Sequence, residues 1–530
     1  MRKERKSRAF NARYESPSQG VFPGFEHPFT RELDPTNRWV VLSELIPWDE
    51  LCSVYMQQAG RSTVGRAGLS PRIILGALII KYLLKLDDRE TVDQISENIY
   101  MQYFLGYPDF TSDKPFDASL FVDIRKRLGM ESINAINEKI IQLKTGFATR
   151  SPQKEDQSTR SNKGTDDVSD DALGGGVSDT SGLEVSEHKG RILFDATVCP
   201  QDIAYPTDLD LLSEAREITE RLTDSLYDVR LHGEKPRTYR RIARKEYLVT
   251  AQKKKKTKKQ IRSAVRKQLG YVGRNLRSIH HLLDACPSLP FDRHQLKDFW
   301  VIQTLYEQQL TMYRTRTHTI EDRIVSIHQP HVRPIVRGKA SAPVEFGAKI
   351  HLSVIDGISF LDELSWDAFN EGSHMEDYVE KYRQRFGFYP REVLADKLYC
   401  TRENRRMLKS KGSGIVLRAK PLGRPSATAV SIHVSPGERN AIEGKFGQAK
   451  RGYGLNRIKA RLQQTSESWI AGIIMVLNLV KLAGAIAPCC IVNVWHHFSA
   501  RIQIMFLSVV INLRENIHRL SCPMMAVSKC

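Results

Sequence analysis

Paired cysteines are missing from this chain. Its eight cysteines (52, 199, 286, 400, 489, 490, 522 and 530) are scattered over 530 residues and none forms a C-x2-C pair. That excludes the usual zinc-ligand spacing and a disulfide framework, and makes free thiols the expectation. No apolar h-region follows the basic start MRKERKSRAF, so no secretory signal is expected. Long apolar runs are absent with one exception, Ile470 to Cys490. That run has the length of a membrane span, but Asn478, Lys481 and Pro488 interrupt it, and it reads as a buried core helix. Acid is also in deficit. Against 80 Lys and Arg stand 61 Asp and Glu, a net charge of +19 with a pI near 9.5. Such a chain favours a polyanionic partner, either nucleic acid or an anionic membrane surface. The apolar content of 41% suffices for real cores, and a length of 530 residues predicts about three domains of roughly 150 residues each.

The chain divides by composition. Residues 1–35 form a polar, basic tail. Residues 36–148 carry helical patterns: Trp39 to Tyr55, a run opened by Ser70-Pro71 as N-cap and N1, Glu90 to Leu105 closed by Gly106, and Ala118 to Leu128. The last of these ends in Arg125, Lys126, Arg127 and Gly129. Short helices with basic ends suit either a helix-turn-helix-like DNA module, with Arg125 and Arg127 on phosphate, or a plain helical dimerisation bundle. Residues 149–189 are Ser, Asp, Gly, Lys and Thr with few large apolar side chains, the composition of a flexible linker. The next domain spans 190–485, and 486–530 form an apolar extension whose His496-His497 is discounted as a metal site.

A helical insertion at about 209–323 interrupts that domain. Between Arg230 and His280 there are nine Arg and nine Lys against two acids, Glu234 and Glu246. Lys253, Lys254, Lys255 and Lys256 are the centre, with Tyr239, Tyr247 and Tyr271 interleaved. A charge run is often only a solvated face; this density favours contacts to a phosphate backbone.

Three acids stand out. Arg191 to Thr197 reads as a buried strand with Asp195 emerging at its end; a turn-capping role is the alternative, and Asp202 and Asp208 are rivals, Asp208 reading as a first-turn acid of a helix. Strands are expected at Ile324 to Ile327 and Val332 to Val336, and a hairpin at Asp356-Gly357. Val393 to Ala395 is a short strand with Asp396 at its end. Glu443 lies in ERNAIEGKFGQAK, residues 438–450. Arg439, Glu443 and Lys450 fall within about 40° of one another on a helix. Taken alone, the pattern fits a surface helix with one Arg–Glu ion pair worth a few tenths of a kcal/mol. In a basic stretch loosened by Gly444 and Gly447, it also fits a metal-bound phosphate substrate.

The spacing R-x3-E-x6-K resembles the signature around the last acid of DDE transposases from bacterial insertion sequences. That family usually carries a Tyr three residues before the Arg; Pro436 stands there instead. ADKLYCTRENRRML resembles the segment with the family's second aspartate, and DRETVDQISENIYMQYFLGYPD and DASLFVDIRKRLG resemble its N-terminal helical domain. The likeness runs over roughly residues 35 to 485, apart from the linker and parts of the insertion. It implies an α/β chain: an RNase H-like mixed sheet flanked by helices, a large helical insertion and an N-terminal all-α domain. It implies Asp195, Asp396 and Glu443 as catalytic and metal-binding acids, with Mg²⁺ or Mn²⁺ as two ions, and Arg439 and Lys450 on phosphate. The implied activity is DNA cleavage at element ends and strand transfer into target DNA. The implied partner is double-stranded DNA, with a homodimer or higher oligomer on it, no membrane, and a cytoplasmic, nucleoid-associated setting. A non-transposing metal-dependent nuclease of the same fold and an inactive DNA-binding protein are the alternatives.

Overall fold

The computed structural model describes residues 33–58, 68–145, 188–336, 344–412, 414–419 and 436–482. The basic tail up to 32, the linker from 149 to 187 and the extension with His496 and His497 lie outside them.

Six helices come first: α1 (Arg38–Leu45), α2 (Trp48–Gln58), α3 (Pro71–Leu84), α4 (Asp88–Glu97), α5 (Ile99–Leu105) and α6 (Leu120–Thr145). The sequence suggests fewer and longer helices, and the breaks have local causes. Pro47 offers no N–H and forces Ile46 into an extended conformation (φ −80°, ψ 125°), which separates α1 from α2. Asn98 turns extended and its side chain accepts from the Met101 N–H, ending α4 and capping α5. Conversely, α6 does not stop at Gly129. The glycine takes φ 62° and the helix resumes beyond a kink. α3 starts at Pro71 behind Ser70, as the sequence predicts.

The strand β1 (Arg191–Pro200) follows, then α7 (Asp208–Leu226), α8 (Arg240–Ala251), α9 (Lys258–Asp284) and α10 (Arg293–Thr315). Next come β2 (Arg333–Val336), β3 (Val344–Ile355), β4 (Ile358–Ser365), α11 (Met375–Phe386), β5 (Glu392–Leu394), α12 (Arg402–Ser410), β6 (Val416–Arg418), α13 (Pro436–Gly452) and α14 (Gln463–Leu482).

These elements form two compact units. The first gathers the described residues up to Asn137 with 447–458 and 464–482; the second holds 138–446 and 459–463. The first unit is all helix. Its core includes α14, a helix long and apolar enough to cross a membrane but largely buried in the protein. Trp469 of α14 meets Tyr82 edge-on at 5.7 Å. Lys81 lies 4.4 Å and Arg125 5.3 Å from its ring centroid. Asn478 donates to Asn137 Oδ1 at 3.0 Å. A helix that is apolar on every side needs neighbours all round, and the N-terminal helices supply them. The 190–485 stretch read from sequence therefore does not coincide with one compact unit.

In the second unit β1 is the central strand. It pairs antiparallel with β3 (Asp195↔Leu352) and parallel with β5 (Leu193↔Leu394). β5 pairs parallel with β6. β3 pairs on its other edge with β4 and, at its start, with β2. The order β4-β3-β1-β5-β6, an antiparallel meander followed by two parallel strands, is RNase H-like. The β3–β4 turn is Asp356-Gly357, both with positive φ (50° and 80°), the two-residue turn that matches strand twist. Ile324 to Ile327 is not a strand. Ile324 and Ile327 are buried in the core of the insertion instead. That core is built from α7, α9 and α10, with Leu212, Val272, Ile302 and Leu305 fully buried.

Candidate active site

Parallel pairing sets two of the acids side by side. Leu193 is in register with Leu394, so two residues further along each chain stand Asp195 and Asp396. Asp195 lies within β1 rather than at its end, because pairing with β3 continues to Pro200↔Gly347. Its Oδ1 accepts from the Ala196 N–H at 2.8 Å. Asp396 caps the short turn Lys397–Tyr399, accepting from the Lys397 N–H at 2.7 Å. Glu443 comes from α13.

Arg439, one turn before Glu443, touches all three. Its Nη1 is 3.2 Å from Asp396 Oδ1. Its Nη2 is 3.7 Å from Asp195 Oδ2 and 4.0 Å from Glu443 Oε1. One guanidinium thus joins carboxylates from a strand interior, a strand end and a helix. Asp195 is the most enclosed acid and Glu443 the most open, with 20% and 61% of the side chain exposed. Burial pushes the Asp195 carboxyl up to about 6; the Ala196 N–H and Arg439 oppose the shift, and Glu371 and Asp396 add to it.

A second ring of charge orients α13. Glu438, the residue before Arg439, takes both Nη atoms of Arg418 on β6 at 2.9 and 2.8 Å. It also lies 3.7 Å from Arg191 on β1. Arg191 and Arg418 both reach Glu392 on β5, at 2.9 and 3.4 Å. The start of α13 is therefore tied to three strands. Behind Asp396, the buried Asn404 donates to Gly372 O at 2.7 Å and Tyr399 O at 2.9 Å, fixing the turn that Asp396 caps. A chain of ion pairs links the buried His351 to Asp362 (3.2 Å), Asp362 to Arg385 (2.8 Å) and Arg385 to the partly exposed Glu138 (3.0 Å). None of these supporting residues is apparent in the sequence, since their partners are distant in the chain. The packing of strands and helices brings them together.

The remaining candidates divide. Lys253, Lys254, Lys255 and Lys256 are exposed on the loop between α8 and α9, not on a helix. Arg127 is exposed on α6. Arg125 is a correction: it is 3% exposed, and both its Nη atoms bind Asp88 at 2.8 Å. A guanidinium so enclosed serves the core and is not presented to phosphate. Lys450 is half-buried further along α13. Asp208 is a first-turn acid of α7, bound by Arg323 at 2.7 Å, and Asp202 lines a separate cavity of about 430 Å³ beside Glu214 and His328.

In this arrangement no three acid, imidazole or thiol groups among the described residues stand close enough to share an ion. The three carboxylates share the Arg439 guanidinium instead. Their chemistry nonetheless fits a hard divalent cation: the donors are all oxygen, and they already converge on one positive charge.

The family model described as "Transposase domain (DUF772)" matches residues 27–127, the N-terminal helices. The model described as "Transposase DDE domain" matches residues 393–480, from β5 through α14. The chain is 26% identical over 233 residues to the uncharacterized protein ORF8 in the nfe locus of Rhizobium meliloti, covering 43% of this chain and 91% of that protein. No solved structure matches the chain. Together these matches support a DDE-type transposase of the insertion-sequence kind. Proteins of this family bind DNA and generally use divalent metal ions.

Proposed function

We propose that this transposase cuts DNA at the ends of its element and joins the freed 3′ ends to target DNA, with Asp195, Asp396 and Glu443 as the acids that hold the metal. The observation that carries the reading is the gathering of three carboxylates, from β1, the end of β5 and α13, around the single cation of Arg439. Bound Mg²⁺ or Mn²⁺, as two ions, would supply an activated water or 3′-hydroxyl and offset charge on the leaving oxygen. The protein's own part is positioning. Asp195 and Asp396 are fixed by strand register, and Glu443 by the anchoring of α13 through Glu438. Arg439 and Lys450 hold substrate phosphate and neutralise charge that develops on it. The exposed lysines 253–256 and Arg127 add contacts to the duplex backbone without reading sequence. Two copies, one on each element end, are the smallest assembly that delivers both ends to one target.

The test is a joining assay. A labelled duplex carrying an element end is incubated with protein and Mg²⁺ together with a plasmid target. The reading expects nicking at the end and transfer of label to the plasmid. Nicking without transfer would reduce the protein to a nuclease, and the absence of both activities would refute the proposal.

A further inference from the structure

We infer that Arg439 is a resident counter-cation that competes with divalent metal for the three carboxylates, so that metal loading and release of the guanidinium are one linked step. The inference rests on the metal-site reading above and adds a control to it. The geometry is direct: one guanidinium lies 3.2, 3.7 and 4.0 Å from three acids on three separate elements. Without it, three carboxylates would face one another in a partly buried site, where like-charge repulsion is poorly screened. Arginine keeps its proton at any pH the protein survives, so the charge leaves the cluster only if the side chain moves.

Movement is confined to the side chain. The backbone beside it is held by Glu438, which binds Arg418 and lies near Arg191. The guanidinium is not clamped from behind, since its Nε makes no hydrogen bond among the described residues. Carboxylates that coordinate a divalent ion give up their pairing with the guanidinium, and the freed group is then available to an anion. The anion at hand in this site is substrate phosphate. Linkage is reciprocal: phosphate that captures Arg439 must tighten metal binding by the same factor with which metal tightens phosphate binding. The site would thus load metal best when DNA is in place, and poorly when the protein is free.

The test needs no DNA and no activity. Mn²⁺ alone is titrated into the full-length protein, with free ion followed by electron paramagnetic resonance, for wild type, Arg439→Gln and Arg439→Lys. The inference expects Arg439→Gln to bind Mn²⁺ about tenfold tighter than wild type, inside the usual range of such couplings. Arg439→Lys, whose single ammonium cannot span three carboxylates, should fall between. Thermal midpoints give a second readout. In EDTA the Gln variant should melt below wild type, and saturating Mn²⁺ should raise it by more than it raises wild type. If the Gln variant does not fold, the Lys variant carries the same comparison. Binding that is equal or weaker in the variants overturns the competition while leaving the metal site intact. No Mn²⁺ binding by any of the three, or binding indifferent to Glu443→Gln, removes the metal-site reading itself.

Discussion

Asp195 sits where water reaches it only in part, and its titration should report that. Its carboxyl is pushed up to about 6 from an ordinary 3.8 by burial. A raised carboxyl means that the folded state binds the proton more tightly than the unfolded state. The resulting cost to stability is absent below the unfolded value, grows as pH rises from 4 towards 6, and is complete above that. In EDTA, the stability of Asp195→Asn relative to wild type should therefore rise between pH 4 and pH 7, by on the order of 2–3 kcal/mol at most. Denaturant melts at both pH values check it, and a difference that does not change with pH would contradict the burial argument. Arg125 makes the opposite point. By sequence it belongs to a basic helix end; in the fold it neutralises Asp88 inside the helical unit. Arg125→Ala leaves that acid short of a partner and should cost about 3–5 kcal/mol of stability. A drop in DNA affinity with the melting curve unchanged would restore it as a phosphate contact.

Elements explain why some of this was legible and some not. The hairpin at Asp356-Gly357 and the start of α3 at Ser70-Pro71 follow from residues with few conformational options, so they read directly from sequence. The stripe Arg439–Glu443 was legible because both residues share one helix, and Asp396 because it ends a short apolar run. The extent of β1 was not, since its continuation past Asp195 depends on a partner strand about 150 residues away. Nor was the fate of Ile324 to Ile327: an apolar run tells of burial, not of which core receives it. The ring of Arg191, Glu392, Arg418 and Glu438 was invisible for the same reason, although it fixes the helix that bears Glu443. Glu438→Gln tests that role. It keeps size but leaves Arg418 and Arg191 without the carboxylate, and should cost about 1–3 kcal/mol and lower joining at least tenfold through a loosened α13. Unchanged joining would mean that α13 is held by packing alone.

At the scale of the whole chain, a net charge of +19 finds its densest expression in the insertion, whose cations surround a core of its own. Replacing Lys253 to Lys256 with Gln should weaken binding to every duplex alike and flatten the salt dependence by about 0.9 in slope per lost contact. A loss confined to one DNA sequence would contradict backbone binding. The insertion lies in sequence between β1 and the rest of the sheet, so these contacts and the chemistry are separable by mutation. The most direct test of the account uses that separation. Glu443→Gln preserves side-chain size and hydrogen bonding but removes the charge a divalent ion requires. Cleavage and joining in Mg²⁺ should fall by at least about 100-fold, while DNA affinity measured in EDTA stays within about twofold of wild type, because that affinity comes from Lys and Arg on phosphate. A Glu443→Gln protein that cuts and joins at near the wild-type rate would contradict the assignment of the three acids.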